Sequence, residues 1–313
     1  AVAYPDEGRE LREKGIQLPI MVMNAEPASF DVVIRNNLEP EIYSLKMLNQ
    51  FELALQMFGG DKREVGYPVH IKLDSGMHRL GFANDEIEEL GKRLKSSKLF
   101  EVKSIFSHLA ASDSEKHDEF SSSQIKTFSE ASDALIASLR YKPLRHILNS
   151  AGVVRFPENQ FDMVRLGIGL YGVDTSGEIQ DKLENVSTLR SCISQVKTIN
   201  PGETIGYNRQ FKATKKMKIG IVGIGYADGL NRLWGNGKGY VKVKQSKAPI
   251  VGDICMDMCM IDITGIRNVQ EGEPVVIFSE EPSVAEIAKA INTIPYEILT
   301  SISQRVNRVY FYE

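Results

Sequence analysis

From residue 1 to about residue 172 the chain alternates short apolar runs with amphipathic stretches. The apolar runs 1–4, 19–23, 41–45, 69–73, 102–106, 146–148 and 163–170 are seven strand candidates. Between them the apolar period lengthens to that of a helix. Leu48, Phe51 and Leu55 fall at i, i+3 and i+7, as do Ile87, Leu90 and Leu94 behind Asn84, an N-cap candidate. Phe120, Phe128, Leu135 and Leu139 lie close to one stripe within 119–139, and the Pro5-Asp6-Glu7-Gly8 run opens a charged helical stretch ending at Gly15. Alternating strands and helices imply right-handed crossovers and a parallel sheet. Seven such units fit an open doubly wound sheet or a (β/α)8 TIM-type barrel lacking one β/α unit. No Gly-x-Gly-x-x-Gly run follows an early strand, which counts against a dinucleotide site.

The texture changes near Leu183. Strand candidates now follow one another closely at 190–199, 217–223, 239–243, 248–251, 258–263 and 274–278, with turns at Pro201-Gly202, Asn236-Gly237 and Gly272. One helix at 284–292 interrupts them, and 305–312 reads as a last strand. We therefore expect an α/β barrel domain over 1–183 and a mostly β domain over 184–313.

Composition narrows the function classes. Lys+Arg 38 against Asp+Glu 41 leaves a net charge of -3, too balanced for a dedicated nucleic-acid binder. With hydrophobic residues at 42% and charged residues at 25%, the chain is globular rather than disordered. No apolar run approaches the roughly 18 residues of a membrane span. Cys192, Cys255 and Cys259 cannot build a disulfide framework, and without a secretory leader the expected compartment is the cytoplasm. His is absent near Cys255 and Cys259, so buried structural thiols are expected there rather than metal ligands.

A barrel places chemistry at the C-terminal ends of its strands. Here those ends are decorated: Lys72 lies in the 69–73 run and Arg79 follows it, His108 follows the 102–106 run, Ser150 the 146–148 run, and Arg165 sits in the last one. A single basic residue at a strand end is usually an ion pair; five such residues on one rim point to a site. Arg165-Leu166-Gly167-Ile168-Gly169 also sits where such barrels hold a phosphate with backbone N–H groups.

The run Lys72-Leu73-Asp74-Ser75-Gly76-Met77-His78-Arg79-Leu80-Gly81 resembles a signature of the alanine racemases. The segments 107–113, 146–150, 165–172, 206–207, 225–229 and 252–257 match the same family in the same order, so the resemblance spans the chain. It implies a homodimeric, pyridoxal 5'-phosphate (PLP)-dependent enzyme with a barrel and a C-terminal β domain. Its reaction interconverts L- and D-alanine through an aldimine by a two-base mechanism, supplying D-alanine for peptidoglycan. Tyr207 matches the base on the L-alanine face, and Arg165 the arginine at the cofactor's pyridine nitrogen. His108 matches the histidine supporting that arginine. Ser150, Gly167 and Ile168 match the phosphate cradle, with Asn149 beside them. Arg79 and Met256 match positions that meet the substrate carboxylate, and Asp257 one that orients groups near it. Lys72 matches a lysine that pairs with Arg79 and is carbamylated in many relatives. Tyr207, Met256 and Asp257 would serve the partner's barrel.

Three departures qualify the resemblance. The family's PLP lysine lies in a Val-Lys-Ala-x-[Ala]-Tyr-Gly-type motif that these 313 residues do not contain, and neither Lys72 nor Lys46 stands in for it. We expect from this, and from an opening at Ala1-Val2-Ala3-Tyr4 without Met, an N-terminally truncated chain that is inactive alone. Gln304 replaces a tyrosine that touches the phosphate; its amide is a substitute donor. Asp253 replaces an arginine, reversing a charge near the entrance. Two other functions stay in view: a broad-specificity racemase or PLP decarboxylase for a basic amino acid, and a non-catalytic PLP-binding or scaffold domain.

Overall fold

The computed structural model describes residues 1–60 and 63–311. It divides into two compact units, Ala1–Gly167 with Asp174–Ile179, and Ile168–Val173 with Gln180–Glu313.

In the first unit strands β1 (Met21–Val22), β2 (Glu39–Ile42), β3 (Tyr67–Lys72), β4 (Phe100–Phe106) and β5 (Leu144–His146) form a parallel sheet in that order. Helices α2 (Phe30–Arg35), α3 (Leu45–Phe58), α4 (Ile87–Ser96) and α5 (Asp118–Ser138) connect them, with α1 (Pro5–Glu13) before β1 and α6 (Ser150–Arg155) after β5. This is the α/β barrel architecture that strand–helix alternation predicts. Period two divides each strand. Tyr67, Val69 and Ile71 of β3 join the helix-side core with Leu48, Phe51 and Leu55 of α3, Leu90 of α4 and Phe128 of α5. Phe51 sets its edge against Phe30 and Tyr67 at 5.0 and 5.3 Å. The alternate positions of β2, β3 and β4 face the other way and carry Glu39, Glu41, His70, Lys72, Ser104 and Phe106.

Several boundaries differ from the sequence reading. Residues 1–4 contribute only a Val2–Val22 bridge, because Pro5 starts α1 with the Ala3 amide held by Glu7 at 2.8 Å. The 41–45 run ends as a strand at Ile42, since Ser44 caps α3 by accepting from the Met47 amide at 3.2 Å. Asn84 is no cap; it opens a 3-10 turn, and Glu86 reaches back to the Ala83 amide. Phe120 is exposed, and the buried stripe of α5 runs instead through Gln124, Ile125, Phe128, Ser132 and Leu135. Residues 163–170 make no strand. The Asp162 amide donates to the Arg145 carbonyl of β5 and the Arg165 amide to the Leu148 carbonyl just beyond it, at 3.0 Å each, before Ile168–Tyr171 turns as a 3-10 helix.

The second unit is an antiparallel sheet of order β11-β10-β13-β6-β9-β12, with a small β7–β8 pair. Its strands are β6 (Leu189–Ile199), β7 (Thr204–Ile205), β8 (Phe211–Lys212), β9 (Met217–Val222), β10 (Tyr240–Val243), β11 (Ser246–Pro249), β12 (Cys259–Asp262) and β13 (Pro274–Phe278). Helix α7 (Val284–Ala290) matches expectation, while α8 (Pro295–Ser301) was not foreseen. The expected strand at 305–312 is absent over 305–311, and Tyr312 lies outside the described residues. Cys259 sits in this unit's core, where burial pushes its thiol up to about 12; Cys192 is exposed. Among the described residues no helix is long and apolar enough to cross a membrane.

Candidate active site

The site begins with the polar face of the barrel strands. Lys72, at the end of β3, is buried with Nζ 3.7 Å from Glu41 Oε2 and 5.0 Å above the Phe106 ring. That separation makes an ion pair but is too long for a hydrogen bond, and Glu41 Oε2 has no hydrogen-bond partner among the described residues. Burial pushes the Glu41 carboxyl up to about 7, against the pull of Lys72, Arg79 and Arg165. Burial pushes the Lys72 ammonium down, helped by Arg79 and Arg165 and opposed by Glu41.

Arg165 is the most heavily bonded of the predicted residues. Its Nη2 donates to the Ser107 carbonyl at 2.7 Å, the Ile147 carbonyl at 3.1 Å and His108 Nδ1 at 3.2 Å. Its Nη1 donates to His146 Nδ1 at 2.5 Å. Both histidines can only accept here, because a guanidinium offers nothing but N–H groups. Their titration agrees. Burial, then Arg165, holds His108 down to about 4 and His146 down to about 2, so both are neutral near pH 7. His146 also stacks on Phe106 at 5.1 Å. Lys72, His108 and Arg165 thus converge as expected, around a ring the sequence did not single out.

The Lys72–Gly81 segment explains its own glycines. Asp74 Oδ1 accepts from the Gly76 and His78 amides at 2.9 and 3.0 Å, and Oδ2 meets His78 Nδ1 at 3.1 Å. Burial raises this carboxyl, but those bonds outweigh it and its pKa is lowered. The loop returns onto β3 through the Phe82 amide to the Lys72 carbonyl at 2.9 Å. Gly81 sits at φ +134°, where a Cβ would lie 2.5 Å from the Asp74 nitrogen. Arg79 is exposed on this loop. Ser150 opens α6, and its Oγ accepts from the Gly167 amide at 2.9 Å. Asn149 caps that helix by accepting from the Gly152 amide at 2.9 Å and the Ser112 hydroxyl at 2.7 Å, so its side chain is already engaged.

In the second unit Ile168 is buried at the start of its 3-10 turn. Tyr207 is 68% exposed behind Gly206, beside a cleft of about 500 Å³ lined by Lys197, Thr204, Ile205, Ile221, Cys255 and Met260. The Tyr226 and Ala227 amides bond the Cys255 and Met256 carbonyls at 3.0 Å each; a Cβ on Gly225 would come within 2.3 Å of both. Met256 is exposed, and Asp257 pairs with Arg305 at 2.7 Å, as does Asp228. Gln304 is exposed. Asp253 does not present a free carboxylate. It is bonded to Arg232 and Asn236 at 2.7 Å each, and the Asn236 amide, then Arg232, lowers its pKa.

Sequence reasoning missed His146 as a partner of Arg165, and Glu41, His70 and Ser104 beneath it. The signal was available: Glu39 and Glu41, and His70 and Lys72, are i, i+2 pairs on adjacent strands.

Comparison with known proteins places these features in a family. The description "Alanine racemase, N-terminal domain" matches residues 1–175, and "Alanine racemase, C-terminal domain" matches 186–310. The chain is 37% identical to alanine racemase 1 of Clostridium acetobutylicum, covering 99% of this chain and 81% of the relative. It is 35% identical to the Helicobacter pylori alanine racemase, covering 99% and 84%. Among solved structures, the Clostridium difficile alanine racemase superposes with a TM-score of 0.89 at 32% identity, covering 99% of this chain and 82% of that one. The Bartonella henselae alanine racemase with covalently bound pyridoxal phosphate gives 0.86 at 28% identity, covering 99% and 85%. With both domains matched in order over nearly the whole chain, this chain belongs to the alanine racemase family.

Proposed function

We propose that this chain serves alanine racemase activity, interconverting L- and D-alanine with pyridoxal 5'-phosphate as cofactor, in a protein that also supplies the family's PLP lysine, which these 313 residues do not contain. The observation that carries the reading is Arg165, aimed from the barrel rim and held by two neutral histidines and two carbonyls. The residues present suit the cofactor. Ser150 Oγ and the Gly167 amide already bond one another, a donor pair of the kind that receives phosphate oxygens, and a Cβ on Gly167 would meet nothing within 4 Å. Bound there, the cofactor supplies a conjugated ring that accepts the electron pair left when the amino acid loses its α-proton.

The chain's own residues do the rest. Arg165 offers the ring nitrogen a hydrogen bond but not a transferable proton, which moderates electron withdrawal and favours returning the proton over transamination. His108, neutral, accepts from that arginine. Ser150 with the Gly167 and Ile168 amides binds phosphate, and Gln304 adds a side-chain amide; Asn149 acts through the helix it caps. Arg79 and the Met256 backbone bind the substrate carboxylate, with Lys72 supporting Arg79 electrostatically. Tyr207 takes or returns the α-proton on the L-alanine face, and Asp257 orients groups nearby. A phenol directly behind Gly206, exposed and beside a cleft, is placed to meet another molecule. We assign Tyr207, Met256 and Asp257 to the barrel of a second copy, so the working unit is a homodimer. Its D-alanine would feed peptidoglycan assembly in the cytoplasm.

The test is racemisation of L-alanine by the protein as its organism makes it, with PLP, read by chiral chromatography. D-alanine formation supports the proposal. Lysine or serine turning over faster than alanine would favour the broad-specificity reading, although Asp253, already bonded to Arg232 and Asn236, gives a basic substrate no free carboxylate. PLP binding without turnover of any amino acid would favour a non-catalytic binding domain.

A further inference from the structure

Below Arg165 a line of buried polar side chains runs along the polar face of the sheet. His146 Nδ1 meets Arg165 Nη1 at 2.5 Å, and His146 Nε2 meets Ser104 Oγ at 2.9 Å. Ser104 Oγ lies 2.7 Å from His70 Nδ1, and His70 Nε2 lies 3.0 Å from Glu39 Oε2. Ser104, His146 and His70 are 1%, 0% and 7% exposed. Register makes the line: Ser104 stands opposite His70 across β3–β4, and His146 stands opposite Phe106 across β4–β5.

The direction of every link follows from chemistry. Arg165 can only donate, so His146 Nδ1 accepts and its single proton is on Nε2. That proton goes to Ser104 Oγ, whose own hydrogen is then free for His70 Nδ1. His70 keeps its proton on Nε2 and gives it to the Glu39 carboxylate. Reversing the first link would set two N–H donors against each other at 2.5 Å, and reversing the last would set a bare His70 nitrogen against the Glu39 carboxylate at 3.0 Å. The relay thus runs from a cation to an anion with all its dipoles aligned, the arrangement in which consecutive hydrogen bonds reinforce one another. Barrel interiors are usually filled by Val, Ile and Leu; here four linked side chains fill that volume with a hydrogen-bonded line that ends on one guanidinium.

We propose that Glu39, His70, Ser104 and His146 are positioning residues: one directed relay that fixes the tautomer of His146 and, through it, the aim of Arg165. Its structural part is independent of the reaction; its kinetic part rests on the racemase reading.

The experiment uses 15N-histidine-labelled protein and side-chain nitrogen–hydrogen correlation spectra, with exposed His78 and His117 as internal controls. In the wild type, His146 and His70 should both carry hydrogen on Nε2 with Nδ1 bare. Glu39→Gln keeps an acceptor and the volume but removes the charge. It should shift the His146 Nδ1 resonance, although residue 39 does not touch His146. In a Ser104→Ala background the same change should no longer reach His146. In turnover by the protein as its organism makes it, Glu39→Gln should lower kcat for alanine by about 10-fold with KM unchanged, the scale for residues that orient a ligand group. Hydrogen on His146 Nδ1, or a Glu39→Gln shift that stops at His70, overturns the relay; Glu39→Gln alone decides this if Ser104→Ala does not fold. An unchanged kcat overturns its kinetic part. Should the spectra show the relay in a protein that does not racemise alanine, the relay stands and the racemase reading falls.

Discussion

Replacing Lys72 by methionine removes a cation while keeping an apolar stem against Phe106. Glu41, 1% exposed with Oε2 unpaired, then stands without its partner at 3.7 Å. At an effective dielectric near 20 the lost attraction is about 4 kcal/mol. A buried carboxyl reduces such a cost by keeping a proton, so the loss depends on pH. In the wild type the folded-state pKa of Glu41 is raised from 4.5 to about 7. The folded chain therefore holds more protons than the unfolded chain between those values. Stability from this group is greatest below 4.5, falls as pH rises through the window, and levels off above about 7. In Lys72→Met the folded pKa climbs further and the fall continues. The deficit of the variant should be nearly flat up to about pH 7 and then grow by about 1.4 kcal/mol per pH unit. Lys72 itself acts in the same sense. Its folded pKa is depressed, so the wild type gains stability as pH rises toward the ordinary lysine value, and the variant has no such gain. Urea unfolding followed by circular dichroism at pH 6, 7, 8 and 9 measures this, with an extra deficit of about 3 kcal/mol expected at pH 9 relative to pH 7. Against a Glu41→Leu/Lys72→Met double variant, which has neither group, Lys72→Met should lose about 1.4 kcal/mol per pH unit across pH 6–9. Parallel stability curves for wild type and Lys72→Met, or for Lys72→Met and the double variant, would refute the argument.

In the protein as its organism makes it, Tyr207→Phe should lower net racemisation by about 10²–10⁴-fold with folding unchanged, since the phenol is exposed and only its proton chemistry is lost. Deuterium wash-in read by mass spectrometry should vanish from L-alanine and persist from D-alanine; equal loss from both would make Tyr207 structural. Incubating this 313-residue chain with PLP and borohydride should leave no stoichiometric adduct on any one lysine, because none stands in the family's lysine motif. A single saturable adduct would contradict that. Gly81→Ala should cost at least about 1–3 kcal/mol, because φ +134° is unfavourable for alanine and its Cβ would meet the Asp74 amide at 2.5 Å. An unchanged denaturation midpoint would show that the loop yields.

The local pattern of the sequence carries much of this protein. Strand and helix alternation, the helices built on Leu48-Phe51-Leu55 and Ile87-Leu90-Leu94, and the shift to closely spaced strands after Leu183 all depend on near neighbours, which periodicity reports. The rim residues Lys72, His108, Ser150 and Arg165 were legible for the same reason, since strand ends show in the apolar runs. Tertiary structure decided what those side chains meet. Arg165 lies 57 residues from His108 and 19 from His146, and Glu39 lies 31 from His70. Which of them touch is set by parallel register between strands that are remote in sequence. The same holds where local reading failed. Residues 163–170 look like a strand, but among the described residues nearby only the Asp162 amide bonds β5, and the Arg165 amide bonds Leu148 just beyond it, before the chain turns. Asp253 looks like a reversed entrance charge, yet its neighbours Arg232 and Asn236 bind it in place. Periodicity says which face a residue takes; only the closed fold says which buried charge finds a partner, because that depends on distances that no short stretch of sequence contains.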